Sequence, residues 1–237
     1  MEINLNSVQV CRLKRNLCIM LTWHPAETER VMILYYSPGA CSLAAHIALH
    51  QAGAKFESRK VNLYQGEQTT QAYLSVNAKG RVPALVTDRG ILTENSAILV
   101  FVSQLFPEAG LAPLDDPFAF ARVQEFNCYL ASTVHVAHAH GPRGSRWADE
   151  PSALVAMKEK VPQTMTACFG LIEEELLIGP WVMGEHYSIC DIYLYTLSRW
   201  LEGDGVDITL LPRVIEHRNR MEALESVAEV LQMEGLT

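Results

Sequence analysis

The stretch "YYSPGACSLAAHIAL", Tyr35 to Leu49, places one thiol, Cys41, where a short apolar run gives way to a helix-periodic one. A helix N-terminus presents unpaired N–H groups and the positive end of the macrodipole. A thiolate there is stabilised, and its pKa is expected to fall below the free value of about 8.5. Each unit of depression is a preference of about 1.4 kcal/mol for the charged form. Cys41 reads equally well as an inert packed thiol, because free cysteine behaves as a small hydrophobe. No second cysteine follows three residues on, where Ala44 stands, so a CxxC disulfide is excluded. A second reactive constellation is "ASTVHVAHAHG", with His135, His138 and His140. Neutral imidazole can accept or donate a proton near neutrality. His138, three residues after His135, shares its helix face, while His140 points elsewhere. Isolated helical histidines are most often structural or solvated. No further ligands converge on them, so no metal site is expected. In "YSICDIYLY", Ser188 and Asp191 fit a capping box, with Tyr187 and Ile192 as the staple. Asp191 is therefore assigned to a helix start, not to catalysis.

The elements that must position these groups follow from the hydrophobic pattern. Residues 33–36 form a β-prone run, and Leu43, Ala44, Ile47 and Ala48 recur at helical spacing up to a stop at Gly53. "KFESRKVNL" suits a second strand, and 68–75 a short helix. "VPALVT" and "ILT", joined by "DRG", read as a hairpin. "ENSAILVFVSQLF" reads as a helix ending before Pro107. A crossover followed by a hairpin implies a small mixed sheet with helices packed on it. Residues 108–117, rich in Pro and Gly, read as a linker. Beyond them, helices are expected at 118–139, 152–178, 188–201 and 213–232. The fold class is α/β plus all-α: 32–107 as the sheet-containing domain and 118–237 as a helical-bundle domain.

The chain has 237 residues and a net charge of −8. That balance argues against binding a phosphate backbone, so no nucleic-acid partner is expected. No apolar run reaches the roughly 18 residues of a membrane span. Six scattered cysteines without a CxxC pair suit a reducing cytoplasm. Residues 1–31 stand apart. "RLKRNLCIMLTW" imitates a signal peptide, but no small-x-small site follows it. This leader is expected to be disordered or non-native and catalytically irrelevant, with Met32 as the functional start.

"YSPGACSLAAHIAL", "VNAKGRVPALVTDRGILTENSAI" and "YSICDIYLY" fall in the order found in glutathione S-transferases, and the chain from Met32 onward resembles that family. The first stretch and the ending "VLQMEGLT" are similar to the bacterial, cysteine-containing beta class. The resemblance implies a thioredoxin-like domain followed by a helical one. It implies glutathione as co-substrate, a small-molecule electrophile as partner, a homodimer, and detoxification in the cytoplasm. Cys41 and His135 are implied as catalytic, with Tyr36 and Ser42 as alternative donors to the glutathione sulfur. Val82 precedes a cis Pro83 and pairs with the cysteinyl part of the tripeptide. Glu94, Asn95 and Ser96 hold the γ-glutamyl end, whose carboxylate suits a helix N-terminus. Thr93 or Asn95 is expected to cap that helix. Phe118, Phe126, Tyr129 and Trp200 are candidates for an apolar wall.

Two departures from the family pattern stand out. The loop "VNLYQGEQTTQ" lacks the lysine that often grips glutathione, and Asn127 lies one residue, about 100° of helix, from the usual asparagine. The implied activity is conjugation of the glutathione thiolate to hydrophobic electrophiles. The alternatives are thiol–disulfide exchange or dehalogenation through Cys41, including a mixed disulfide with glutathione, and a non-enzymatic binding protein.

Overall fold

The computed structural model describes residues 32–237, so the expectations for 1–31 lie outside the described residues. Strands β1 (Met32–Tyr36), β2 (Phe56–Lys60), β3 (Ala84–Thr87) and β4 (Gly90–Thr93) form one sheet in the order β2-β1-β3-β4. β2 runs parallel to β1, with Met32 opposite Phe56 and Tyr36 opposite Lys60. β3 is antiparallel to both β1 and β4. This is the mixed sheet that a crossover followed by a tight hairpin requires.

The crossover carries α1 (Ser42–Gln51), which ends at Gly53 in the left-handed region, φ +63°. Gly53 N–H bonds the carbonyl of His50, and Ala54 N–H that of Leu49. A residue with no Cβ penalty at that position is what such a C-terminal turn needs. Helix α2 (Gln71–Leu74) is short, preceded by a 3₁₀ turn at Glu67–Thr69. Helix α3 (Asn95–Leu105) follows β4. Leu34 and Leu85 of the sheet, Leu43 and Ile47 of α1, and Ile98, Leu99 and Val102 of α3 are all fully buried in one core.

The helical half contains α4 (Pro117–Tyr129), α5 (His135–Ala139), α6 (Pro151–Leu171), α7 (Ile189–Ser198), α8 (Pro212–Glu222) and α9 (Glu225–Glu234). α4 and α5 form one continuous helical path, interrupted by a π-helical segment at Leu130–Val134. Another π segment, Ile172–Leu176, extends α6. Every residue of α7 is buried, which suits a helix apolar on nearly all sides. Its start is the expected capping box. Ser188 Oγ accepts from Cys190 N–H at 3.2 Å, and Asp191 Oδ2 accepts from Ser188 N–H at 2.8 Å. Asp191 Oδ1 also accepts from Val182 N–H and bonds His217 Nε2, so the carboxylate is consumed by structure.

One expected helix is two. The span 213–232 is broken at Ala223–Leu224, between α8 and α9. Neither Gly nor Pro marks the break. It turns α9 onto α1, where the buried Glu234 carboxylate meets His46 Nδ1 at 2.8 Å.

Candidate functional site

A cleft of about 520 Å³ opens between the sheet-containing half and the helical half. Its lining includes Cys41, Val82, Pro83, Glu94, Asn95, Ser96, His135, His138, Tyr193 and Trp200. Seven sequence-predicted residues are therefore brought together. Three are not. Tyr36 is buried, its ring lying 5.0 Å from that of His46. Ser42 is fully buried and closes a turn, its hydroxyl donating to the Ser37 carbonyl and accepting from Ser37 N–H. Asn127 is also fully buried, and neither polar atom of its amide has a hydrogen-bond partner among the described residues. One residue of helical rotation turns it into the core. Of the four aromatic candidates only Trp200 lines the cleft. Phe118 is exposed, Phe126 is core, and Tyr129 donates its hydroxyl to the Cys168 carbonyl.

Cys41 sits at the N-cap of α1, as expected, but its thiol does not behave as expected. Burial is the largest influence, and the negative charge of Glu94 adds to it; together they push the thiol up to about 12. The backbone amides of Cys41 and Ser42 and the Arg146 charge pull the other way and lose. Helix-end stabilisation is worth about 0.3–1 kcal/mol, less than one unit, whereas burying a charge can shift a group by several units. Cys41 is thus a neutral donor, and its Sγ–H points at the Val82 carbonyl at 3.3 Å.

The loop carrying Cys41 is clamped from the helical half. Gly39, at φ +67°, donates its N–H to Glu234 Oε2 at 3.0 Å and accepts from Trp200 Nε1 at 3.0 Å. On the other side, Asn95 Nδ2 donates to the Cys41 carbonyl at 2.7 Å. The Val82–Pro83 bond is cis, as the resemblance implied. Tyr73 Oη–H and Asn77 Nδ2–H both donate to the Arg81 carbonyl, which fixes the chain entering that bond.

Glu94 precedes α3 with φ +73°, a conformation that costs a non-glycine residue about 1–3 kcal/mol and clusters at functional sites. It occupies the N-cap position, and no side chain caps α3, so neither Thr93 nor Asn95 has that role. The start of α3, Glu94 to Ser96, thus lines the cleft and carries no side-chain cap. The Glu94 carboxylate pairs with Lys79 Nζ at 2.7 Å.

His135 begins α5 directly after the π segment, a distortion often found at functional sites. Burial, then the charges of His138, Arg146 and Arg81, lower its pKa to about 4, so the imidazole is neutral near pH 7. Its ring lies 5.2 Å from that of Trp200. His138, to which sequence reasoning gave no part in the site, also lines the cleft. It stacks on Trp200 at 4.1 Å and its Nδ1 bonds Asp204 at 2.8 Å. Sequence reasoning missed Arg81, Arg143, Arg146 and Trp147, which line the same space. The basic and aromatic cluster "PRGSRW" was the available signal. Among the described residues no group of three or more His, Cys, Asp or Glu is placed to hold a metal ion.

Residues 30–104 match the family model of the glutathione S-transferase N-terminal domain. The chain is 31% identical to glutathione S-transferase GstA of Escherichia coli O157:H7, over 86% of this chain and all of that one. Among solved structures, a glutathione transferase homologue from Sulfitobacter with bound glutathione is 43% identical, with a TM-score of 0.84, covering 87% of this chain and 99% of that one. A bacterial beta class glutathione S-transferase from Sphingomonas chungbukensis is 34% identical, with a TM-score of 0.76, over 86% of this chain and all of that one. The thioredoxin-like sheet, the helical second half and these similarities agree, and the chain belongs to the glutathione S-transferase family.

Proposed function

We propose that this protein is a beta class glutathione transferase that conjugates the glutathione thiolate to small electrophiles in the cleft. The observation that carries the reading is the convergence of Cys41, Val82, the uncapped start of α3 and His135 on one space. Glutathione lies between them. Its cysteinyl backbone pairs with Val82 as an added strand. Its γ-glutamyl carboxylate meets the first N–H groups of α3, where a helix end favours an anion. Its ammonium meets Glu94, in competition with Lys79.

The sulfur then lies near two neutral donors. Cys41 offers its S–H, redirected from the Val82 carbonyl. His135 offers one ring N–H, since a neutral imidazole has one to give. An imidazole with a pKa of about 4 is a poor proton acceptor near pH 7, so His135 donates and the thiol proton leaves to solvent. The thiolate attacks the electrophilic carbon, the C–S bond forms, and the leaving group departs with its electron pair. The protonated state of Cys41 counts against the exchange and dehalogenation reading, which needs a Cys41 thiolate.

The proposal divides the chain into a glutathione-binding domain over 32–107, a linker over 108–117 and a helical domain over 118–237. It places the protein in the cytoplasm as a homodimer. Among the described residues no helix is long and apolar enough to cross a membrane. The test is retention on immobilised glutathione together with turnover of a chlorodinitrobenzene. Cys41→Ala should keep a measurable part of the conjugation. Failure of the wild type in both assays refutes the enzyme reading, and exchange without conjugation favours the covalent alternative.

A further inference from the structure

Three guanidinium groups line the cleft that holds Cys41 and His135. Arg81 comes from the segment before the cis peptide. Arg143 and Arg146 come from the turn after α5, on the helical side. Glu94 is the single carboxylate among the described lining residues, and Lys79 already engages it. None of the three arginines has an ion-pair partner among the described residues. Among the described residues the Arg143 guanidinium donates only to the neighbouring Pro142 carbonyl, at 3.2 Å. A chain of net charge −8 has thus gathered unpaired positive charge in the cleft that holds Cys41. Like charges converging without counter-ions oppose one another, and low-dielectric walls focus their field on whatever enters. The Arg146 guanidinium feels this: burial first, then Arg81 and Arg143, press it below its ordinary value.

The two arginines on the helical side are held in place. Arg143 N–H bonds the Ala139 carbonyl at 2.8 Å, and Arg146 N–H bonds the Arg143 carbonyl at 3.0 Å. Gly144 between them packs against α6 so closely that a Cβ there would lie 3.2 Å from Leu154 and 3.3 Å from Met157. Trp147 follows, its ring parallel to that of His140 at 4.3 Å, and it too lines the cleft. The turn therefore presents two forked cation donors beside a flat aromatic ring. Arg81, next to Val82, is on the side where glutathione pairs, whereas Arg143 and Arg146 face it across the cleft, where the second substrate must enter.

We propose, resting on the glutathione transferase reading above, that Arg143 and Arg146 bind a carboxylate on the electrophile, so that the second-substrate pocket selects planar anionic electrophiles over neutral apolar ones. A guanidinium matches a carboxylate with two parallel N–H···O bonds, and Trp147 supplies a face for an unsaturated ring.

The test compares a chlorodinitrobenzene with the corresponding chlorodinitrobenzoate, which share a leaving group and differ by one carboxylate. Each kcat/KM is divided by the spontaneous rate with glutathione. The wild type should prefer the benzoate by about tenfold or more, the worth of one charge-assisted hydrogen bond. That preference should shrink as salt rises. Arg143→Gln/Arg146→Gln should abolish it, and Arg146→Lys should keep part of it. Salt dependence in the wild type reads the proposal even where a variant folds poorly. Turnover of both substrates without preference overturns the proposal and leaves the transferase reading standing. So does an equal loss on both substrates with a raised KM for glutathione, because the arginines then serve the tripeptide. No turnover of either, with no retention on immobilised glutathione, overturns both.

Discussion

At Cys41 two effects oppose each other, and their sizes decide the chemistry. The helix start favours a thiolate by less than burial disfavours it, so the thiol titrates far above neutrality. Alkylation of Cys41 followed by peptide mass should therefore show a pH midpoint well above 9; a midpoint near 7 contradicts it. His135 shows the converse sign. Its folded pKa of about 4 lies below the ordinary 6.5, so the unfolded chain binds the extra proton between those values. Stability then falls as pH drops through that window, by roughly 2–3 kcal/mol at most. Urea denaturation at pH 7 and pH 4.5 should show that loss in the wild type, and a smaller one in His135→Gln. Equal losses in both proteins would reassign the effect to other groups.

At the scale of elements, the C-terminal helix α9 governs the loop that bears the thiol. Glu234 accepts from both Gly39 N–H and His46, and Trp200 holds the Gly39 carbonyl. Glu234→Ala leaves the buried His46 and the half-buried Gly39 N–H unpaired, each worth about 1–3 kcal/mol. It should lower stability by about 2–4 kcal/mol and raise the KM for glutathione; an unchanged melting temperature would remove α9 from this role. These contacts also explain what the sequence could and could not disclose. The strands, α1 with its stop at Gly53, and the capping box of α7 follow from local chemistry, so periodicity and turn residues reveal them. The break between α8 and α9 does not, because it carries neither Gly nor Pro and is set by packing on α1. The π segment at Leu130–Val134 has no sequence signature either. His138 went unassigned because its partners, Asp204 and Trp200, are far along the chain. Motif resemblance reached Val82 and Glu94 through nearby residues. It could not separate Ser42 or Asn127, which are buried, from neighbours that reach the cleft.

For the whole molecule, the cleft exists only because two unlike halves meet, one offering peptide edges and helix starts, the other histidines, arginines and Trp200. The dimer proposed above is expected to form on a neighbouring face. Leu92, Ser96, Ala97, Val100 and Phe101, with Gln104 and Gln124, line an apolar depression on β4, α3 and α4 that shares Ser96 with the cleft. Sedimentation should give twice the 26.4 kDa chain mass, and Phe101→Glu should give the chain mass alone. A monomeric wild type, or an intact dimer in the variant, would move the interface elsewhere. The central claim concerns the glutathione sulfur itself. Its ionisation can be followed through thiolate ultraviolet absorbance in the binary complex, in a pH range where Cys41 stays protonated. The account predicts a midpoint at least one unit below that of free glutathione in the same buffer; a midpoint equal to the free value, or above it, contradicts the account.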